Sequence, residues 1–181
     1  MTTPALLALL GAAVLVFWVL GAYNRLVRLR NAITGAWQLV DEALARRGEQ
    51  VLPLVAAVRP GLAGEGAALD ALLTGQAQVA AAADSLRPRP VVADAALALA
   101  RAEAVLAPAS ARVLALLDLQ PELRAADAVA APLAVLREVE PRLAFARQVF
   151  NEAVQAYNDA VRQWPTQAVA RLVGFGTAGR L

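Results

Sequence analysis

Residues 127–164 read DAVAAPLAVLREVEPRLAFARQVFNEAVQAYNDAVRQW. Leu136, Leu143, Phe150, Tyr157 and Trp164 recur at intervals of seven. Val139, Ala146, Ala153 and Ala160 repeat with the same period, three positions further on. That pattern draws one seam along a helix, with large side chains alternating with small ones as in a coiled coil. The stretch therefore predicts a helix from Asp127, a suitable N-cap, to Trp164, just ahead of Pro165. The seam reads as core packing rather than as a cofactor box.

A second long helix is needed to cover that seam. Leu26, Leu29, Ile33, Trp37, Val40, Leu44, Val51, Val55 and Val58 step by threes and fours or their multiples, the mark of one amphipathic stripe. Pro53 removes a hydrogen bond and should kink this helix near residue 49; Pro60-Gly61 should end it. Between the two long helices, residues 67–86 and about 91–119 form alanine-rich helices, separated by Arg87-Pro88-Arg89-Pro90. Gln120-Pro121 closes the second of them.

Upstream, Ala5–Ala22 reads ALLALLGAAVLVFWVLGA, with no charged side chain before Arg25. About 20 apolar residues span a hydrocarbon core of about 30 Å. Trp18 and Tyr23 sit where interfacial aromatics are expected. A cleaved signal would need a basic start and a small-residue site, and Leu20-Gly21-Ala22 is a poor one. No turn signal separates this run from the stripe, so one continuous helix is compatible with both. Arg25, Arg28 and Arg30 follow at once, against only Met1-Thr2-Thr3-Pro4 on the other flank. The positive-inside rule places the N-terminus outside and the domain in the cytoplasm.

The fold expected is all-α: an N-terminal transmembrane helix followed by an elongated antiparallel four-helix bundle. Residues 1–23 form the anchor, 24–175 the bundle and 176–181 a flexible tail.

Composition narrows the chemistry. Of 181 residues, 59% are apolar and 18% charged, and about 45 are alanine, the best helix former. There is no Cys and no His, which removes thiol nucleophiles, Ser–His pairs and the usual zinc ligand sets. All 17 basic residues are Arg, so neither a P-loop lysine nor a Schiff base is available. The net charge of +2 gives no case for nucleic-acid binding. Asp41-Glu42 ahead of Arg46-Arg47 has helix-surface ion-pair spacing. Glu138 and Glu140 point to different sides of their helix. Gly174-Phe175-Gly176 follows no strand and is no phosphate loop. No catalytic, metal-ligating or cofactor-binding residue is assigned, and no cofactor is expected.

Two blocks carry a resemblance. One is Tyr23-Asn24-Arg25-Leu26-Val27-Arg28-Leu29-Arg30-Asn31 with Ala36-Trp37, Asp41, Arg46-Arg47 and Leu52-Pro53-Leu54-Val55. The other is Arg142-Leu143-Ala144-Phe145-Ala146-Arg147 with Phe150-Asn151, Val154, Tyr157-Asn158, Trp164-Pro165 and Gly174-Phe175. Over residues from about 5 to 175 the chain resembles the LemA family. The resemblance implies a bacterial protein with one N-terminal membrane helix and a helical bundle; it transfers no catalytic residue. Gly48, where an aromatic is common, and Pro141, in the last helix, depart from the pattern.

Two groups of side chains stand out for function. With the long helices antiparallel, Asn31 lies beside Tyr157 and Asn158, Trp37 beside Asn151, and Asp41 beside Arg147. Asn24, Asn31, Asp41, Arg147, Asn151 and Asn158 then form a polar ladder that fixes register. Arg25, Arg28, Arg30, Arg162, Arg171 and Arg180 form a basic collar at the membrane end, favourable to anionic lipid. The leading expectation is a membrane-tethered, non-enzymatic module at the cytoplasmic face of a bacterial inner membrane. Its partners are the lipid bilayer and an unidentified membrane or cytoplasmic protein. The alternatives are an oligomeric membrane scaffold, for which Gly11 and Gly21 permit close packing, and a carboxylate-based hydrolase.

Overall fold

The computed structural model describes residues 3–181, with the backbone alone at residues 5, 6 and 8. Met1 and Thr2, part of the expected external N-terminus, lie outside the described residues. The chain is all-α: α1 (Thr3–Val58), α2 (Gly66–Leu86), α3 (Ala93–Asp118), α4 (Pro121–Ala125), α5 (Asp127–Arg162) and α6 (Thr166–Val173). A 3-10 turn, Ala63–Glu65, precedes α2. Among the described residues there is no strand.

The apolar run and the stripe are one helix. α1 continues through Pro53, which has no N–H to offer the Glu49 carbonyl. Its two parts differ in burial. Leu7, Leu9, Leu10, Val14, Leu15, Val16, Phe17 and Leu20 are all exposed, Phe17 to 75%. Burial starts at Ala22 and Leu26, and every member of the expected stripe is buried except half-buried Leu29. Of the described helices, α1 alone is long and apolar enough to cross a membrane. Among its described side chains, none from Thr3 to Trp18 is buried.

α5 covers the stripe. Leu143, Phe150, Tyr157, Val139, Ala146 and Ala160 are buried, and Phe150 meets Trp37 edge-on with ring centroids 6.2 Å apart. Contacts step in opposite directions along the two helices: Arg25 meets Gln163, Trp37 meets Phe150, and Arg47 approaches Glu140. α2 and α3 pack on each other, and α2 leans on α1. Leu69, Leu72, Val79 and Leu86 of α2 and Leu99, Leu106, Val113 and Leu117 of α3 join the single core cluster.

Two expectations need correction. Trp164 is off the seam and 80% exposed, because α5 ends at Arg162. A residue before proline is pushed out of the helical region, and Pro165 acts there on Trp164. Residues 176–181 are not a free tail. Gly174, at φ +74°, ends α6 in a conformation that glycine alone adopts without strain, and turns the chain back along α5. Ala178 is buried, and Gly179 packs so closely on Ala93 that an added Cβ would lie 2.7 Å from the Ala93 Cα.

Candidate functional site

The end of the fold beside the apolar segment is built from α1, α5 and the chain after α6. Arg25 Nη1 donates to Gln163 Oε1 at 3.3 Å. The Tyr23 ring stacks on Phe175, centroids 6.0 Å apart and planes 14° from parallel. The Arg30 guanidinium lies 5.6 Å from the centroid of that same Phe175 ring, a cation–π arrangement. Arg28, Arg162 and Arg171 are exposed. Arg180 departs from the expected collar: its Nη2 donates to Gln155 Oε1 at 2.6 Å, about 12 Å along α5 from Gln163 at the helical rise. The Arg87 loop also lies further up. Its partner is Asp41, about 24 Å along α1 from Arg25.

The polar ladder does not join α1 to α5. Asn24 and Asn31 are exposed. Asp41 accepts from Arg87 Nε at 2.9 Å and Nη2 at 2.8 Å. This bidentate pair ties α1 to the end of α2, and holds the Arg87 pKa above the usual arginine range through the Asp41 hydrogen bond and charge. Arg147 turns instead to Glu103 of α3. Asp41 and Arg147 stand at similar heights along the two helices, yet each turns to a different helix. Nor does Asp41-Glu42 pair with Arg46-Arg47. Arg46 lies 3.8 Å from Glu138 and Arg47 pairs with Glu103.

Asn151 and Asn158 are ordered by the tail rather than by α1. Asn158 bonds both the N–H and the carbonyl of Ala178, and Asn151 bonds both those of Leu181. Two asparagines two helical turns apart thus grip one extended strap.

The most buried polar cluster was not foreseen. Arg47 is 6% exposed and its guanidinium holds both Glu103 oxygens, Nη1 donating to Oε2 at 3.1 Å. Arg147 Nη2 shares Glu103 Oε2, and Glu140 stands 3.8 Å from Arg47 Nη1. Burial pushes the Glu103 carboxyl up. The hydrogen bond and charge of Arg47, then those of Arg147, outweigh that and leave it below the usual carboxylate range. The signal was present in the stripe: Arg47 fills the gap between Leu44 and Val51, and Glu103 stands four after Leu99 and three before Leu106. Tyr157 is also buried, and desolvation raises its hydroxyl pKa against an opposing pull from Arg30. Among the described residues no three acidic side chains gather as metal ligands would.

The fold and these clusters define an all-α chain of long helices, cross-tied by arginines and extended by an apolar N-terminal helix. The LemA family model matches residues 36–180, and the chain belongs to the LemA family. No curated protein matches it.

Proposed function

We propose that this protein is a membrane-tethered, non-enzymatic helical module of the LemA type, acting by protein or lipid contacts at the cytoplasmic surface of a bacterial inner membrane. One observation carries the reading. Every described side chain from Thr3 to Trp18 is exposed, yet this stretch belongs to the same helix that enters the core at Ala22 and Leu26. Exposed Leu, Val and Phe over such a length are not stable in water and call for a bilayer. In this reading residues 1–23 are the single-pass anchor. The rest is an antiparallel four-helix bundle of α1, α2, α3 and α5, with α6 closing the membrane end and its strap running back along α5. Arg25, Arg28, Arg30, Arg162 and Arg171 face the headgroups, each contributing up to about 1 kcal/mol with anionic lipid.

The buried arginine cluster supports a structural rather than a catalytic role, since its charges are spent on one another. The test is membrane extraction. The full chain should stay in the bilayer through an alkaline carbonate wash, and residues 24–181 should be recovered in the soluble fraction. The second reading, an oligomeric scaffold, draws on Gly11 and Gly21, whose backbones are open to a neighbour. A detergent-solubilised mass above one chain supports it.

A further inference from the structure

The α2–α3 pair leans on the rest of the core through α2, and α3 and α5 do not close on each other. Between them lies a cavity of about 720 Å³. Val51 and Leu54 of α1, Leu72 of α2, Leu106 of α3, and Leu133 and Leu136 of α5 give it an apolar floor and walls. Ala104 and Ala107 of α3 also line it and are themselves exposed, forming a low lip at the mouth.

Two polar atoms in this apolar lining have no partner: Arg47 Nε, a donor, and Gln76 Oε1, an acceptor. Both side chains line the cavity, and Arg47 is 94% buried by its 6% exposure. Gln76 of α2 reaches the stretch of α1 that carries Arg47. Gln76 Nε2 would stand 2.8 Å from a Cβ added at Gly48, the residue next to Arg47. The glycine therefore leaves the room that the Gln76 amide takes. Buried donors and acceptors are ordinarily satisfied, and an orphan pair in an otherwise apolar recess is costly unless something fills it.

The occupant's chemistry follows from size and charge. A cavity of 300–1,000 Å³ is the range of small-molecule sites. The three acids that line it, Glu103, Glu140 and Asp118, all face arginines already. Arg137 also lines it, exposed and paired with no acid among the described residues, but the unpartnered acceptor Gln76 Oε1 needs a donor, which a neutral hydroxyl has and a carboxylate lacks.

We propose that the cavity between α3 and α5 binds a small neutral amphiphile. Its head, a hydroxyl or carboxamide, accepts from Arg47 Nε–H and donates to Gln76 Oε1, while its apolar body lies on Leu54, Leu72, Leu106 and Leu133. A hydroxyl both donates and accepts, so it serves the Gln76 amide in either orientation. This site lies away from the membrane end and is independent of the tether.

The experiment uses the full chain in lipid nanodiscs and a twelve-carbon alcohol carrying a photoreactive diazirine, with crosslinks mapped by peptide mass spectrometry. Labelling should concentrate on residues 100–114 and 133–140. Ala107→Trp, which fills the mouth, should reduce it by about tenfold or more. Arg47→Lys, which keeps the charge but lacks Nε–H, and Gln76→Leu should each reduce it about fivefold, one hydrogen bond's worth. The methyl ether of the probe, which cannot donate, should label as weakly as the alcohol does in Gln76→Leu. Labelling confined to residues 3–22 would show a probe merely dissolved in the bilayer and overturn the proposal. So would equal labelling by alcohol and ether, or stronger labelling by the corresponding carboxylate.

Discussion

Asn158 holds Ala178 by both ends of its amide: Nδ2 donates to the Ala178 carbonyl at 2.9 Å, and Oδ1 accepts from the Ala178 N–H at 2.7 Å. Asn151 does the same for Leu181, at 2.7 and 2.9 Å. This is how a segment without periodicity or a large apolar side chain before Leu181 comes to lie ordered across the bundle. The asparagines supply partners that a regular element would have supplied from its own backbone.

Removing either clamp should free the strap without unfolding the helices. Asn158→Ala or Asn151→Ala is expected to cost about 1–3 kcal/mol, the cost of part-buried backbone groups left unpaired. Gly179→Ala should have a similar local effect, since its Cβ would lie 2.7 Å from the Ala93 Cα. Hydrogen exchange checks this. The Ala178 and Leu181 amides should lose protection while those of α5 keep theirs.

The Glu103 cluster should behave as a closed network. Glu103→Ala leaves Arg47 buried without its main partner and should cost about 3–5 kcal/mol. Arg147→Ala should cost less, because Arg147 is 33% exposed in its side chain while Arg47 is 8% exposed. Chemical denaturation of the three proteins at neutral pH orders them.

The same cluster gives a pH dependence with a definite sign. The folded-state pKa of Glu103 is depressed, so its contribution is fully present above the ordinary glutamate value of about 4.3. It is lost as pH falls from there through the folded-state value. Stability measured over this acid window should fall more steeply in the parent than in Glu103→Gln, which has no carboxylate to protonate.

The apolar faces of α1 and α5 were legible from the sequence, but the polar partners along them were not. The periodic stripe from Leu26 to Val58 and the seam from Val139 to Ala160 both report burial directly, because apolar spacing is a local property of a helix. Trp164 broke the seam since the heptad pattern was carried past the point where Pro165 forbids it. Asp41 and Arg147 were matched by height alone. Height ignores rotation about the helix axis, and that rotation sends Asp41 to Arg87 and Arg147 to Glu103. The strap was illegible for another reason: its contacts span 20 and 30 residues and involve backbone groups that no side-chain pattern records. The short helix α4 fell between two long periodic runs, and α6 after the last of them.

Asp41 and Arg147 should consequently be energetically independent. The double variant Asp41→Ala/Arg147→Ala should lose the sum of the single losses, as expected for residues without a shared partner. A coupling between them well above experimental error would mean that the α1–α5 seam carries the ion pair after all.

The tether is tested most directly by accessibility of single cysteines, for which this cysteine-free chain is a clean background. In intact bacterial cells a membrane-impermeant maleimide should label Thr3→Cys, and should label Ser85→Cys, an exposed position on α2, only after lysis. Labelling of Ser85→Cys in intact cells, or recovery of either protein in the soluble fraction, would contradict a single-pass anchor with its bundle in the cytoplasm.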